Sequence, residues 1–157
     1  MNALDEESKT MEQLGHRVQV RLSDHRQGHL DKDPGIVVDG DGRYWVVWHG
    51  YRPKADRVLV RSLKGSRRGP LLTVSEQDGV NFQPRIVSSG DEVWVVWVGR
   101  RGGRWCVLGR SVREMGKVVR LAESDANLAF SDVTSDGMGR VWVAWTELVE
   151  GQRRGFG

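Results

Sequence analysis

The sequence predicts an all-β fold made of β-propeller blades, in which small antiparallel sheets repeat along the chain. Three observations support this prediction: a period of about 48 residues, strands that are apolar on both faces, and glycine-rich turns between strands. The repeat is clearest in the Trp-Val-Val/Ala-Trp runs at 45–48, 94–97 and 142–145, which recur at spacings of 49 and 48 residues. A fixed period of about 20 to 50 residues is typical of solenoids, propellers and arrays.

Each tryptophan run is predicted to be the second strand of its repeat. Alternate residues of a strand point to opposite faces, so the Trp-Val-Val-Trp pattern is apolar on both. Such a strand must be covered on both sides, which the stacking of neighbouring sheets achieves. The apolar segments at 36–38 and 86–87 are predicted to be first strands, each joined to its second strand by an Asp/Gly-rich hairpin turn.

Two further strands are predicted in each complete repeat. Third strands are expected at 57–62 and 104–111, and fourth strands at 71–75 and 118–122. Four short strands at a period in the forties are typical of a propeller blade. A helical repeat of this length would need a periodicity of about 3.6 residues, which the repeats do not have.

The repeats divide the chain into an N-terminal segment and three blades. Residues 1–16 are predicted to be a tail or a short helix, residues 17–76 an orphan fourth strand followed by blade 1, residues 77–123 blade 2, and residues 124–157 an incomplete blade 3. Three blades are too few to close a ring, because propellers hold about four to eight. We therefore expect a partial ring, which is either part of a longer propeller or half of a six-bladed homodimer.

The order of these elements resembles that of the sialidase-like propellers with BNR (Asp-box) repeats. The residues that carry the resemblance follow the same order twice: Leu22-Ser23-Asp24, Asp33-Pro34 and 45–48, then Val74-Ser75-Glu76, Gln83-Pro84 and 94–97. The Ser and a Gly of the family's Asp box recur after the third strands, without its Asp and Thr-Trp. WD40-like propellers of the TolB type have a similar blade length and are a rival match.

The resemblance implies two functions, and the sequence leaves both open. One is a non-catalytic propeller that binds or scaffolds a protein or a carbohydrate. The other is a fragment of a sialidase-like glycoside hydrolase whose catalytic residues lie outside this chain. The resemblance also suggests an extracytoplasmic location, whereas the first residues lack the basic and apolar regions of a signal peptide.

Composition argues against several other classes of function. The 24 basic and 21 acidic residues give a net charge of only +3, which makes no electrostatic case for nucleic acid as a partner. No segment approaches the roughly 18 apolar residues of a membrane-spanning helix. Cys106 is the single cysteine, so the chain can form no internal disulfide and no cysteine-based zinc site.

The candidate ligand-binding residues lie where second strands turn into third strands. Aromatic and arginine side chains on one rim of a propeller suit contact with a glycan or an acidic peptide. The residues predicted to take this role are His49, Tyr51, Arg52, Arg100 and Arg101.

One further candidate lies elsewhere in the repeat. Arg85 follows Pro84 at the start of a first strand, where the family resemblance allows a ligand-binding arginine. No catalytic residue, metal site or cofactor is predicted. The run at 39–42, Asp-Gly-Asp-Gly, is expected to be a hairpin turn rather than a calcium loop, because Asp-Gly is a strong turn signal.

Overall fold

The computed structural model describes residues 20–23, 30–53, 55–76 and 79–149. Within these ranges the chain forms eleven strands and no helix, which confirms the predicted all-β class. In this part of the chain there is accordingly no helix with the length and apolar character needed to cross a membrane. The tail or helix predicted for residues 1–16 lies outside the described residues.

Sheet 1 contains the first tryptophan run on its second strand. Its strands are β1 (Leu30–Val38), β2 (Tyr44–Arg52), β3 (Ala55–Lys64), β4 (Arg67–Arg68) and β5 (Leu72–Thr73). They form an antiparallel sheet in the order β1-β2-β3-β4, and β5 also pairs with β3. The predicted fourth strand is therefore present as β5, while the short ribbon strand β4 was not predicted.

Sheet 2 has the four antiparallel strands that the repeat predicts. They are β6 (Asn81–Ser89), β7 (Glu92–Arg101), β8 (Arg104–Ser111) and β9 (Val119–Ser124), in the order β6-β7-β8-β9. Because β7 carries the second tryptophan run at the centre of the sheet, both of its faces need cover from other layers.

Sheet 3 is a two-stranded antiparallel ribbon in the described part of the chain. It pairs β10 (Asn127–Ser135) with β11 (Val141–Leu148), which carries the third tryptophan run. The first two strands of the third repeat are thus in the predicted order, and the segment predicted to continue into a third strand lies outside the described residues.

The three sheets form an open stack in sequence order. The first strand of each later sheet lies against the preceding sheet: β6 contacts β1, β2 and β3, and β10 contacts β6, β7 and β8. Two apolar cores fill the interfaces. One lies between sheets 1 and 2 and includes Trp45, Val95 and Trp97, and the other lies between sheets 2 and 3 and includes Val96 and Leu128. The middle sheet is therefore covered on both faces.

The stacking decides which tryptophans are buried. Trp45 is 4% exposed, whereas Trp142, its counterpart in sheet 3, is 57% exposed. The two residues occupy the same place in the repeat, but Trp45 faces sheet 2 and Trp142 faces outward from the last described sheet. The expectation that both faces of every tryptophan strand are covered is thus met in sheet 2 and not in sheet 3.

All three first strands carry a β-bulge at the same register. The pairing shifts between Lys32 and Gly35, between Phe82 and Arg85, and between Ala129 and Asp132. In sheets 1 and 2 the bulges hold Asp33-Pro34 and Gln83-Pro84, and Asp33 and Gln83 both have left-handed φ angles, of 53° and 52°.

The bulge explains why the first strands were predicted too short. The prediction took only the apolar segments at 36–38 and 86–87, which begin after Pro34 and Pro84. Proline has no N–H to donate to a ladder. A bulge leaves residues of one strand unpaired, which lets each proline sit inside a strand without a missing hydrogen bond. Strands β1 and β6 therefore begin at Leu30 and Asn81.

The Asp-Gly turn between β1 and β2 is a hairpin turn, as predicted. Asp39 Oδ1 accepts hydrogen bonds from the amides of Asp41 at 2.9 Å and Arg43 at 3.0 Å. Its Oδ2 accepts a hydrogen bond from Trp45 Nε1 at 2.8 Å. Burial raises the pKa of this carboxyl, but the three hydrogen bonds outweigh burial and hold the pKa below its usual value.

The orphan strand predicted before blade 1 differs from the structure. Of that segment the structure describes residues 20–23, and these form no strand. They lie over the face of sheet 1 that points away from sheet 2, which we call its outer face. There Arg61 Nη1 donates to Leu22 O at 2.7 Å, and Arg68 Nη1 donates to Arg21 O at 2.9 Å. Contacts from arginine side chains thus hold the described part of this segment, without a backbone ladder.

Candidate functional site

The β2–β3 and β7–β8 hairpins end side by side, joined by the connection between sheets 1 and 2. The amide of Asp56 donates to Gly79 O at 3.0 Å, and the amide of Arg100 donates to Val80 O at 3.1 Å. Asn81 Nδ2 donates to Asp56 O at 3.0 Å. We call this surface the hairpin rim and define it as residues 50–52, 55–56, 79–81 and 99–104.

Two of the predicted ligand-binding arginines are engaged within the protein. Arg52 Nη1 donates to Asp31 Oδ1 at 3.0 Å, and Arg101 Nη2 donates to Asn81 Oδ1 at 2.9 Å. Asp31 is the second residue of β1 and Asn81 the first of β6, and both hold the same register, so the two pairs are one interaction repeated in adjacent sheets. Burial lowers the pKa of Arg101, although a guanidinium stays protonated in proteins. Both arginines therefore tie the first strand of a sheet to its second.

His49 lies beneath the hairpin rim rather than on it. The residue is buried, with Nε2 at 3.0 Å from Asp56 Oδ1 and Nδ1 at 3.9 Å from Asp33 Oδ2. A carboxylate only accepts hydrogen bonds, so Nε2 carries a proton and donates it. Among the described residues, His49 hydrogen-bonds to no hydroxyl or thiol. Its hydrogen bond instead orients the Asp56 side chain.

Tyr51 and Arg100 are the candidates that the structure leaves exposed on the hairpin rim. They occupy equivalent positions of β2 and β7, and Tyr51 is 47% exposed. Arg100 Nε donates to Gly103 O at 3.0 Å, and its guanidinium carbon lies 5.7 Å from the centre of the Trp105 ring. A cation over an aromatic face is stabilised by about 0.5–1 kcal/mol at an exposed site, so Trp105 restricts where this arginine points.

A small recess opens beside Tyr51. Its volume is about 250 Å³, and its lining residues are Tyr51, Arg52, Ala55, Asp56 and Gly79. The recess combines one cation, one carboxylate and one aromatic ring, which is a set suited to polar contacts rather than to an apolar ligand.

Arg85 is not brought together with the other candidates. It follows the bulge of β6, pairs with Val96, and donates from Nη1 to Pro84 O at 2.9 Å. The structure therefore gives this arginine a local backbone contact, away from the hairpin rim.

Asp56 and Trp105 belong to the site but were not among the predicted residues. Asp56 lies second in β3, and Trp105 lies second in β8, directly after the two hairpin turns. Their positions in the repeat were available from the sequence, but their roles depend on His49 and Arg100 across each hairpin. No group of three or more metal-binding side chains occurs within the described ranges.

Comparisons of the chain with family models, with curated proteins and with solved structures give no match. The resemblance to sialidase-like propellers, and the rival resemblance to WD40-like propellers, therefore depend on the sequence pattern alone.

Proposed function

We propose that this chain is a non-catalytic binding module made of β-propeller blades, and that it contacts a carboxylate-bearing ligand through the hairpin rim. The observation that supports this most directly is the pair Tyr51 and Arg100. Both are exposed at equivalent positions of adjacent sheets, while the neighbouring Arg52 and Arg101 are held by internal partners. The module thus offers one aromatic ring and one oriented cation on a rigid edge.

The chemistry of this pair suits an acidic group on a protein or a glycan. A guanidinium forms charge-assisted, often bidentate hydrogen bonds with carboxylates. A tyrosine ring adds contact area with only two rotatable side-chain bonds, so little conformational entropy is lost on binding. Because Trp105 already limits the motion of Arg100, less ordering remains to be done when a ligand binds.

The blade interpretation is supported by how the sheets repeat. The three sheets stack in sequence order through their first strands, and each first strand has the same bulge. Loops at one end of such a stack form a continuous rim, which is where propellers carry binding sites.

The test compares binding of two acidic probes, a hexaglutamate peptide and sialyllactose, by isothermal titration calorimetry. Wild-type protein is expected to bind at least one of the two probes. The double variant Y51A/R100A is expected to bind that probe at least about tenfold more weakly, because a hydrogen bond to a charged group contributes about 1.5–3 kcal/mol. The matched control is R67A, which is expected to leave binding unchanged. Arg67 is an exposed arginine of β4 that pairs with Lys64 at the opposite end of sheet 1 from the hairpin rim.

Three outcomes would contradict the proposal. Wild-type protein that binds neither probe would remove its basis, as would equal losses in R67A and in the double variant. Release of free sialic acid from sialyllactose would support the hydrolase alternative instead.

A further inference from the structure

The outer face of sheet 1 carries apolar side chains that no described sheet covers. Ile36 is 62% exposed, whereas Ile86, its counterpart in sheet 2, packs against the core between sheets 1 and 2. A groove of about 700 Å³ lies between this face and the segment 20–23. The apolar residues that line it include Val20, Leu22, Ile36, Tyr44, Val46 and Leu63.

The contact between the segment 20–23 and sheet 1 matches the contact between the residues after β5 and sheet 2. Arg61 pairs with Val46 in sheet 1 and donates to Leu22 O at 2.7 Å. Its counterpart Arg110 pairs with the equivalent valine of β7 and donates to Val74 O at 2.9 Å. Val74 follows β5, the fourth strand of sheet 1. Leu22 therefore takes the place of the residue that follows the fourth strand of a preceding sheet, and the groove is the space where the rest of that sheet would pack.

The outer face of sheet 3 offers the matching surface. Trp142 is 57% exposed, while its counterpart Trp45 is buried in the core between sheets 1 and 2. The Trp142 side chain hydrogen-bonds to Asp136, and the Arg140 guanidinium carbon lies 5.9 Å from the centre of its ring. The exposed indole is thus held in place before anything covers it.

We infer that sheet 3 of one copy packs into the groove on sheet 1 of a second copy. The contact repeats, between chains, the interface that joins sheets 1 and 2 within the chain. In it, Trp142 takes the place of Trp45, and the partner's Val46 takes the place of Val95. Sheets 1 and 3 are different surfaces, so the contact is heterologous and closes only if the copies form a ring.

Two copies give a closed ring of six sheets. Rings of about four to eight sheets are the ones that close in propellers, and three copies would already bring nine. The complex is therefore a dimer with two equivalent contacts. Each contact covers Ile36 of one copy and Trp142 of the other, which are the exposed apolar residues that the repeat buries elsewhere in the chain.

The experiment measures mass in solution by size-exclusion chromatography with light scattering. The wild-type chain is expected to have twice its chain mass of 17.7 kDa. I36E and W142E each place a carboxylate in both contacts of the dimer and are expected to be monomeric. K117E is the matched control, because Lys117 is exposed and lies between β8 and β9 of the middle sheet, which takes part in neither contact; it is expected to stay dimeric.

Mixing the I36E and W142E variants tests whether sheet 3 of one copy contacts sheet 1 of the other. An I36E chain keeps an intact sheet 3 and a W142E chain keeps an intact sheet 1, so a heterologous contact predicts a 1:1 heterodimer on mixing. Near-ultraviolet circular dichroism of each variant checks that the sheets are still packed. A wild-type monomer at every concentration measured, a mass that keeps growing with concentration, or folded variants that stay monomeric when mixed would each overturn the inference.

Discussion

At the scale of single residues, one aspartate organises the hairpin in both the first and the third repeat. Asp39 accepts the amides of Asp41 and Arg43, and Asp136 accepts those of Met138 and Arg140 at 2.8 and 3.2 Å. Each also hydrogen-bonds to the indole of the tryptophan at the second position of the next strand. In the first repeat the carboxylate therefore links the turn to Trp45, which fills the interface with sheet 2.

The ionised form of Asp39 should stabilise the fold in a pH-dependent way. Its pKa is lower in the folded protein than in the unfolded chain. The stabilisation is therefore complete above the unfolded value of about 3.9 and is lost as the pH falls through the folded pKa. D39N should lower the free energy of unfolding at pH 7 by about 1–3 kcal/mol, and the difference from wild type should shrink below about pH 4.

Urea unfolding monitored by tryptophan fluorescence across this pH range measures the effect. D91N is the control, because the Asp91 side chain is almost fully exposed, and it should change the free energy of unfolding by less than about 0.5 kcal/mol. A gap between wild type and D39N that is the same at pH 3 and pH 7 would show that the charge of Asp39 is unimportant.

Arg100 and Arg101, neighbours on the hairpin rim, should have different roles, one in ligand binding and the other in stability. Arg101 donates to Asn81 inside the protein, whereas the Arg100 side chain donates to Gly103 O in the exposed hairpin and lies over the Trp105 ring. R101A is expected to lower the free energy of unfolding by about 1 kcal/mol, and R100A by less than about 0.5 kcal/mol. Chemical denaturation of the two single variants tests this, and equal losses would argue against a division between a structural and a ligand-binding arginine.

The sequence predicted which hairpins hold these arginines but not which of the arginines are exposed. The hairpins follow from local turn chemistry, so His49, Tyr51 and Arg100 fall near the expected end of the stack. The internal roles of Arg52 and Arg101 depend on Asp31 and Asn81, which lie about twenty residues away and reach the same register only because of the bulges. No local pattern reports such a contact.

At the scale of strands, Gly99 allows the connection between sheets 1 and 2 to pack closely against the hairpin rim. A Cβ on Gly99 would lie 3.1 Å from both Val80 O and Leu108 Cδ1. The first of these atoms is backbone, so it cannot move aside cheaply. The absence of a side chain at this position is therefore part of how β7 meets the residues that precede β6.

G99A should consequently destabilise the protein by about 1–3 kcal/mol, as overpacking of a well-packed site does. G40A is the control, because a Cβ there has its nearest neighbour at 3.9 Å and the residue has no left-handed φ. It is expected to be nearly neutral. Thermal unfolding of both variants measures the difference, and a fully stable G99A would mean that the connection is held loosely.

Local sequence patterns predict some strands of this chain better than others. The third strands were found at or near their observed bounds, because apolar runs beside hairpin turns are local signals. The second strands were placed correctly but predicted too short, since β2 extends over Tyr44–Arg52 and β7 over Glu92–Arg101. The first strands and the segment 20–23 were misjudged. A bulge with proline and a segment held by arginine side chains both depend on residues from elsewhere in the repeat.

At the scale of the whole molecule, the sheets are joined mainly to their neighbours in sequence. Besides the two apolar cores, Arg113 of sheet 2 pairs with Asp41 in the first hairpin turn of sheet 1, and its Nη1 donates to Asp91 O at 3.0 Å. In a repeat with such nearest-neighbour contacts, the stability of each unit depends on how many neighbours cover it. The middle sheet has two neighbours and sheet 3 has one.

Hydrogen exchange followed by mass spectrometry should report this gradient in the monomeric I36E variant. Amides of β7 and β8 should exchange most slowly, because β7 lies between two layers, and amides of β11 should exchange fastest, because β11 is a strand of the last described sheet with an exposed tryptophan face. In the wild-type chain the protection of β11 should rise towards that of β7, since the partner's sheet 1 then covers the Trp142 face. Equal protection of all three sheets in the monomer would mean that the stack opens as one cooperative unit and that its exposed ends cost little stability.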